Sequence, residues 1–88
     1  MSAIPKLPTN LPDPNNLRDV FAFNVRLLRV QKGWSQETLA LECSLDRTYV
    51  SAVERSRWNI SLSNIELIAK SLDVPPWELL IPPKQLLL

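Results

Sequence analysis

The chain has 88 residues, a formal charge of only +1 and an apolar fraction of 45%, which is the composition of one small globular domain. Cys43 is its only cysteine, which excludes an internal disulfide. Because the start lacks a secretory pattern and no apolar run approaches the roughly 20 residues that cross a bilayer, we expect a soluble, cytoplasmic protein.

The first segment, residues 1–16, contains four prolines and no periodic apolar pattern. Proline removes a backbone donor and biases the residue before it towards extended geometry. We therefore predict a flexible proline-rich arm, followed by a folded domain over residues 17–83 and a short apolar tail over residues 84–88.

The first helix is predicted to begin near Leu17 to Asp19 and to run to about Lys32, where Gly33 ends it in left-handed geometry. Its core face carries Phe21, Val25 and Leu28 at helical spacing.

The second helix is predicted over residues 36–43, where Ser35 is a suitable N-cap. Asp46 caps a third helix over about residues 47–55 in the same way. These two helices bury Leu39, Ala40, Cys43, Val50 and Val53.

The fourth helix begins at Ser61 or Leu62 and ends near Leu72, with apolar residues at helical spacing from Leu62 onwards. A short fifth helix begins at Pro75-Pro76 and is closed by Pro82-Pro83. No strand pattern is present, so the predicted fold is all-α with five helices.

Helices two and three are separated by only a few residues, which is typical of a helix-turn-helix unit. The chain from Val25 to Val74 resembles the lambda-repressor-like family, of the Cro and cI or XRE type. The residues that carry this resemblance are Arg29, Trp34, Ser35, Gln36, Glu37, Leu39, Ala40, Leu45, Tyr49, Val50, Ser51, Val53, Glu54, Arg55, Ile65, Ile68, Ala69 and Leu72. Two positions depart from the family pattern, because Ser44 and Ser56 stand where glycine is usual. Ser44 in left-handed geometry would carry strain of about 1 kcal/mol, unless the turn has another shape.

The resemblance implies that the third helix enters the major groove of double-stranded DNA. The residues expected to contact bases are Arg47, Thr48, Ser51 and Ala52. Those expected to contact the DNA backbone are Gln36, Tyr49, Arg55, Arg57 and Asn59. For most of these residues the alternative is an ordinary solvated side chain, and Arg47 could simply pair with Asp46. For Tyr49 the alternative is a half-buried aromatic side chain that braces the turn.

The resemblance also implies an internal ion pair between Arg29 and Glu54, which makes Glu54 structural. Charge supports a nucleic-acid partner only weakly, since residues 24–59 carry an excess of two positive charges. The chain has no histidine and no second cysteine, and it lacks a glycine-rich phosphate loop. We expect no metal site, no cofactor and no enzymatic activity.

Apolar residues near the C-terminus exceed what a small monomer needs, and such patches mark interfaces. The residues predicted to form a homodimer interface are Trp77, Leu80, Ile81 and Leu86. In the alternative, the leucine tail folds back onto a second apolar face of the first helix, formed by Val20, Phe23, Leu27 and Val30.

The sequence therefore predicts a transcriptional regulator of the repressor or controller type that binds a palindromic operator as a homodimer. The competing hypothesis is a protein-interaction module, such as an antitoxin, with secondary DNA binding. A salt-dependent DNA-binding measurement separates the two.

Overall fold

The computed structural model describes residues 7–83, which form four α-helices and one 3-10 helix and contain no strand. The α-helices are α1 (Leu17–Gln31), α2 (Gln36–Glu42), α3 (Arg47–Glu54) and α4 (Leu62–Ser71). The 3-10 helix is Pro76–Leu80. The all-α prediction is confirmed for these residues.

The fifth helix predicted from the sequence is thus a 3-10 helix of five residues rather than an α-helix. Pro76 occupies its first position, and the chain is extended again at Ile81, so too few residues remain to propagate an α-helix. A short helix therefore lies where the sequence predicted one, but a count of five α-helices is not confirmed for residues 7–83, because prolines at both ends limit its length.

Each α-helix begins at a side-chain cap. Asn16, Ser35, Asp46 and Ser61 each accept a hydrogen bond from a backbone N–H two or three residues further on. These bonds satisfy donors that have no partner within the helix, which is why such residues define helix starts.

Each α-helix also ends in the same way, with one residue in left-handed geometry. These four residues are Gly33, Ser44, Ser56 and Asp73. The N–H of the next residue returns to a carbonyl five positions back, as from Leu45 to Ala40 at 2.9 Å, which is the Schellman motif. Three of the four helices therefore end this way without glycine.

The core lies where α1 packs against α3 and the 3-10 helix, while α2 packs against α3 and α4. Its fully buried side chains include Val25, Leu39, Val50, Ile68 and Leu79. Leu62, the first of the apolar residues at helical spacing in the predicted fourth helix, is 79% exposed and does not belong to this core. It is the first residue of α4, where the helix has not yet reached the core.

The buried side chain of Asn24 joins the 3-10 helix to α1 by hydrogen bonds. The Nδ2 atom of Asn24 donates to the carbonyls of Leu79 and Ile81, at 2.8 and 3.0 Å. Both carbonyls lie at the end of the 3-10 helix, so Asn24 fixes where the apolar residues near the C-terminus lie. Sequence reasoning missed this contact, because the partners are more than 50 residues apart.

Candidate nucleic-acid interface

The N-terminal end of α3 presents a polar surface to solvent. The Asp46 carboxylate accepts from the Thr48 backbone N–H at 2.7 Å, and no ion pair joins Asp46 to Arg47 in the described part of the chain. Arg47 and Thr48 are exposed, and together with half-buried Ser51 they line a shallow surface groove. This groove carries hydrogen-bond donors and acceptors of the kind that read base edges.

The opposite side of α3 is buried against the other helices. Val50 and Val53 belong to the core, as expected, but Ala52 is also only 4% exposed. The predicted base contact by Ala52 is therefore wrong, since the residue has almost no surface to offer a ligand. The helix is eight residues long and packs against both α1 and α2, so its buried face includes Ala52 in addition to Val50 and Val53.

A buried ion pair joins α1 to α3. The Glu54 carboxylate accepts from Arg29 Nε at 2.6 Å and from Arg29 Nη2 at 2.8 Å. Arg29 Nη1 also donates to the Trp34 carbonyl at 2.8 Å, which ties the loop before α2 to the pair. The two side chains are only 7% and 3% exposed, so this is the ion pair that the resemblance implied.

Gln36, the first residue of α2, lies beside this pair. Its Nε2 atom donates to Glu54 Oε1 at 3.2 Å, and the side chain is half-buried. The remaining amide hydrogen and the amide oxygen are not used in this bond. The contact predicted between Gln36 and the DNA backbone remains a prediction. The hydrogen bond to Glu54 sets the orientation of the side chain that would make it.

Tyr49 is held by two other side chains. Asn64 Nδ2 donates to its hydroxyl at 3.0 Å, and the Trp58 ring packs edge-on against its ring at a centroid distance of 5.6 Å. The ring is half-buried, as expected for a residue that braces the turn, and it still carries a polar group. Asn64 was missed from the sequence, because the contact links α3 to α4 across 15 residues.

Exposed basic residues follow α3. Arg55 and Arg57 are exposed, and so is Asn59. Their backbone is fixed by the Schellman motif, in which Arg57 N–H donates to the Ala52 carbonyl at 3.0 Å. Long cationic side chains on a fixed backbone can contact phosphates, which contribute affinity without reading sequence.

The apolar residues near the C-terminus are partly exposed. Trp77 is 62% and Ile81 is 49% exposed, whereas Leu80 is half-buried and Leu86 lies outside the described residues. Leu80 lines an apolar groove of about 310 Å³ whose other walls come from the starts of α1 and α4. Leu17, Phe21, Ile60, Leu62 and Ile65 belong to those walls.

The second apolar face predicted for α1 is not a free surface. Val20 and Phe23 are buried within the single chain, and Leu27 and Val30 are half-buried. Pro8 and Pro12 line a cleft together with Phe23, so part of the N-terminal segment lies alongside α1. The flexibility predicted for residues 1–16 remains a prediction, and residues 1–6 lie outside the described range.

Residues 7–83 contain neither a cluster of metal-ligating side chains nor a membrane-spanning helix. No group of three or more histidine, cysteine, aspartate or glutamate side chains could hold a metal ion. None of the described helices is long and apolar enough to cross a membrane.

Known proteins share this sequence pattern. The model of the helix-turn-helix family matches residues 25–79. A hypothetical transcription factor of Neisseria meningitidis serogroup B is 63% identical over 79 residues, which are 90% of this chain and 74% of the relative. The control protein C.BamHI of Bacillus amyloliquefaciens is 52% identical over 67 residues, which are 75% of this chain and 83% of the relative.

Solved structures share the fold as well. The crystal structure of hypothetical transcription factor NHTF from Neisseria has a TM-score of 0.89 at 62% identity, and the match covers 91% of this chain and 90% of that chain. The restriction-modification controller protein C.Esp1396I, as a tetramer in complex with its natural 35 base-pair operator, has a TM-score of 0.67 at 39% identity, covering 73% of this chain and 87% of that chain. The chain belongs to the XRE-type helix-turn-helix family of DNA-binding transcription regulators.

Proposed function

We propose that this chain is a sequence-specific transcriptional regulator of the controller or repressor type, which binds a palindromic operator as a homodimer. The observation that carries the proposal is the presentation of α3, with Arg47 and Thr48 exposed at its start while Val50 and Val53 anchor it in the core. The relatives named as control proteins, and the structure of one controller on its operator, support the same function.

In this proposal α3 lies in the major groove. Arg47 can bond a guanine through two hydrogen bonds, Thr48 offers a hydroxyl and a methyl group, and Ser51 offers a hydroxyl further along the helix. Arg55, Arg57, Asn59, Tyr49 and Gln36 contact the DNA backbone on either side. The activity is binding, so no reaction and no cofactor are assigned, and the implied location is the cytoplasm.

The second copy in the proposed dimer lies against the apolar groove and the 3-10 helix. Trp77 and Ile81 are exposed beside Leu80, and Leu17 and Leu62 are exposed at the rim of the groove. Exposed apolar surface of this kind is costly in water, and burial against a second copy would remove that cost. The contribution of Leu86 remains a prediction, since that residue lies outside the described range.

Selection of bound sequences from a randomised DNA duplex pool tests the proposal. We expect enrichment of a sequence with two inverted half-sites about 10 base pairs apart, because a two-fold dimer presents two α3 helices about one turn of DNA apart. Affinity for that duplex should fall steeply with salt concentration. If no sequence is enriched and binding to DNA is undetectable at low salt, the protein-interaction hypothesis is favoured instead.

A further inference from the structure

Asn64 lies outside the set of residues assigned to DNA binding, yet it contacts one of them. Its Nδ2 atom donates to the Tyr49 hydroxyl at 3.0 Å. On the other side, the Trp58 ring meets the Tyr49 ring at an interplanar angle of 61°. The Tyr49 side chain is therefore held at both its ring and its hydroxyl.

The direction of the hydrogen bond determines what the Tyr49 hydroxyl can still do. A side-chain amide nitrogen only donates, so the phenol oxygen accepts from Asn64 and its own hydrogen remains available. No acceptor for that hydrogen is found among residues 7–83. The hydroxyl is thus a donor without a partner, on a side chain that is only half-buried.

The surroundings of this donor suit an anion. Along the chain, Tyr49 follows the exposed Thr48 at the start of α3, and Trp58, whose ring packs against Tyr49, follows the exposed Arg57. An O–H group that donates to a charged oxygen makes a stronger hydrogen bond than one between neutral groups. A phosphate oxygen of the DNA backbone is the acceptor that meets these conditions.

We propose that Asn64 is a positioning residue for DNA binding: by donating to the Tyr49 oxygen, it directs the Tyr49 hydrogen towards a phosphate. This inference rests on the proposed function, since it requires α3 to lie on DNA. Asn64 itself need not touch the DNA. Asn64 affects DNA binding only through its hydrogen bond to Tyr49, so changes at Asn64 and Tyr49 should have coupled effects on the free energy of DNA binding.

The side chain of Asn64 can be changed without removing the start of α4. The helix cap is the bond from the Asn64 backbone N–H to Ser61 Oγ at 3.1 Å, and this bond does not use the amide side chain. Asn64→Ala should therefore keep α4 intact. Ser63→Ala is the matched control, because Ser63 is an exposed neighbour in the same helical turn.

The test is a double-mutant cycle measured by fluorescence anisotropy on the operator duplex obtained by selection. We expect Tyr49→Phe to weaken binding about tenfold, because it removes one hydrogen bond to a charged group. Asn64→Ala should weaken binding by about threefold to fivefold, and the double variant should be no weaker than Tyr49→Phe alone. Neither change should alter the dependence of log affinity on log salt, since neither removes a positive charge.

The outcomes separate this inference from the proposed function. A wild-type chain that binds no duplex overturns both. If the wild type binds the operator but Asn64→Ala binds equally well, or if the two effects multiply in the double variant, the positioning role is wrong while the regulator remains. Thermal unfolding without DNA shows whether lost affinity is only lost folding.

Asn64→Asp provides a second variant of nearly the same shape. A carboxylate accepts rather than donates, so it should draw the Tyr49 hydrogen away from the phosphate and weaken operator binding at least as much as Tyr49→Phe. Its negative charge also repels DNA. The loss of affinity that this repulsion causes should persist when Asn64→Asp is made in the Tyr49→Phe background. If the whole loss persists in that background, the effect is charge repulsion alone and the inference fails.

Discussion

At the scale of single residues, Glu54 shows how an acidic side chain is compatible with a DNA-binding helix. Its carboxylate accepts three hydrogen bonds, two from Arg29 and one from Gln36, and the side chain is almost completely buried. A free carboxylate on α3 would repel phosphate, whereas this one holds α1, α2 and α3 together. Its role is structural.

Glu54→Ala should lower the free energy of unfolding by about 3 kcal/mol, because it leaves the buried Arg29 guanidinium without its carboxylate. Urea denaturation monitored by tryptophan fluorescence gives the value. Glu66→Ala, which removes an exposed carboxylate from α4, is the control and should change stability by less than about 0.5 kcal/mol. A Glu54→Ala variant as stable as this control would contradict the structural role.

Cys43 should make stability depend on pH in the alkaline range. Burial raises the pKa of its thiol above the ordinary value of 9.0, and Sγ donates to the Leu39 carbonyl at 3.0 Å. As pH rises, the unfolded chain loses the thiol proton before the folded chain does, which favours unfolding. The contribution of the protonated thiol to the free energy of unfolding is therefore complete below about pH 9 and is lost as pH rises from there through the raised pKa.

The measurement is unfolding free energy between pH 7 and 10 for the wild type and for Cys43→Ala. Other groups also titrate in this range, so the difference between the two proteins is the quantity of interest. The stability advantage of the wild type should shrink as pH rises. A constant difference would show that the thiol titrates alike in the folded and unfolded chain.

At the scale of helices, all four α-helices end in a Schellman motif, but only one of these motifs has glycine at its left-handed position. Ser44, Ser56 and Asp73 have φ values of 57°, 57° and 61°, in the region where a Cβ atom is strained. Ser44 and Ser56 follow α2 and α3, the two helices of the DNA-binding unit. Strain is therefore concentrated where the orientation of α3 is set.

Ser44→Gly and Ser56→Gly should each stabilise the protein by about 0.5–1 kcal/mol, since relief of the left-handed strain exceeds the extra flexibility of the unfolded chain. Thermal unfolding checks this. Gly33→Ala is the reverse control: Gly33 has φ of 76° and open space around it, so an alanine meets only backbone strain and should destabilise by about 1 kcal/mol. Serine variants that lose stability would show that their hydroxyls contribute more than the strain costs.

At the scale of the whole molecule, the proposed DNA contacts fall into two classes. Arg47 lies in the first turn of α3 and Arg57 lies beyond its end, and both are exposed. The first is predicted to read a base and the second to contact only phosphate. Since the two kinds of contact respond differently to sequence and to salt, their loss should be distinguishable.

Arg47→Ala should weaken binding to the operator by about 1–3 kcal/mol and relax the preference at one base pair. Arg57→Ala should weaken operator and random DNA alike, and should reduce the slope of log affinity against log salt by about 1. Anisotropy titrations on the operator, on operators changed at single base pairs and on random DNA, each at several salt concentrations, measure these effects. If Arg47→Ala lowers both affinities equally, Arg47 is a phosphate contact.

The proposed homodimer belongs to the same scale. Trp77→Ala should raise the dimer dissociation constant at least about tenfold, because a large exposed aromatic that becomes buried in an interface contributes strongly to its affinity. Analytical ultracentrifugation measures the shift. Leu41→Ala is the matched control, since Leu41 is exposed on α2. A wild-type chain that stays monomeric at high micromolar concentration would overturn this interface.

The positions of the four α-helices could be predicted from the sequence, because the signals that mark them act over a few residues. The caps Ser35 and Asp46 bond backbone groups two or three positions away, and the apolar spacing of Val50 and Val53 reflects one turn of helix. The internal ion pair and the helix-turn-helix pattern were also predictable, since they follow a sequence pattern shared by a family.

The burial of individual residues and the long-range hydrogen bonds follow from tertiary packing and could not be predicted from the sequence. Ala52 is buried because two other helices pack on α3, and Leu62 is exposed because α4 starts away from the core. Asn24 and Asn64 are ordinary polar residues in the sequence, yet their amides bond partners 55, 57 and 15 residues away. Such contacts depend on how helices meet, and no local spacing of residues encodes that.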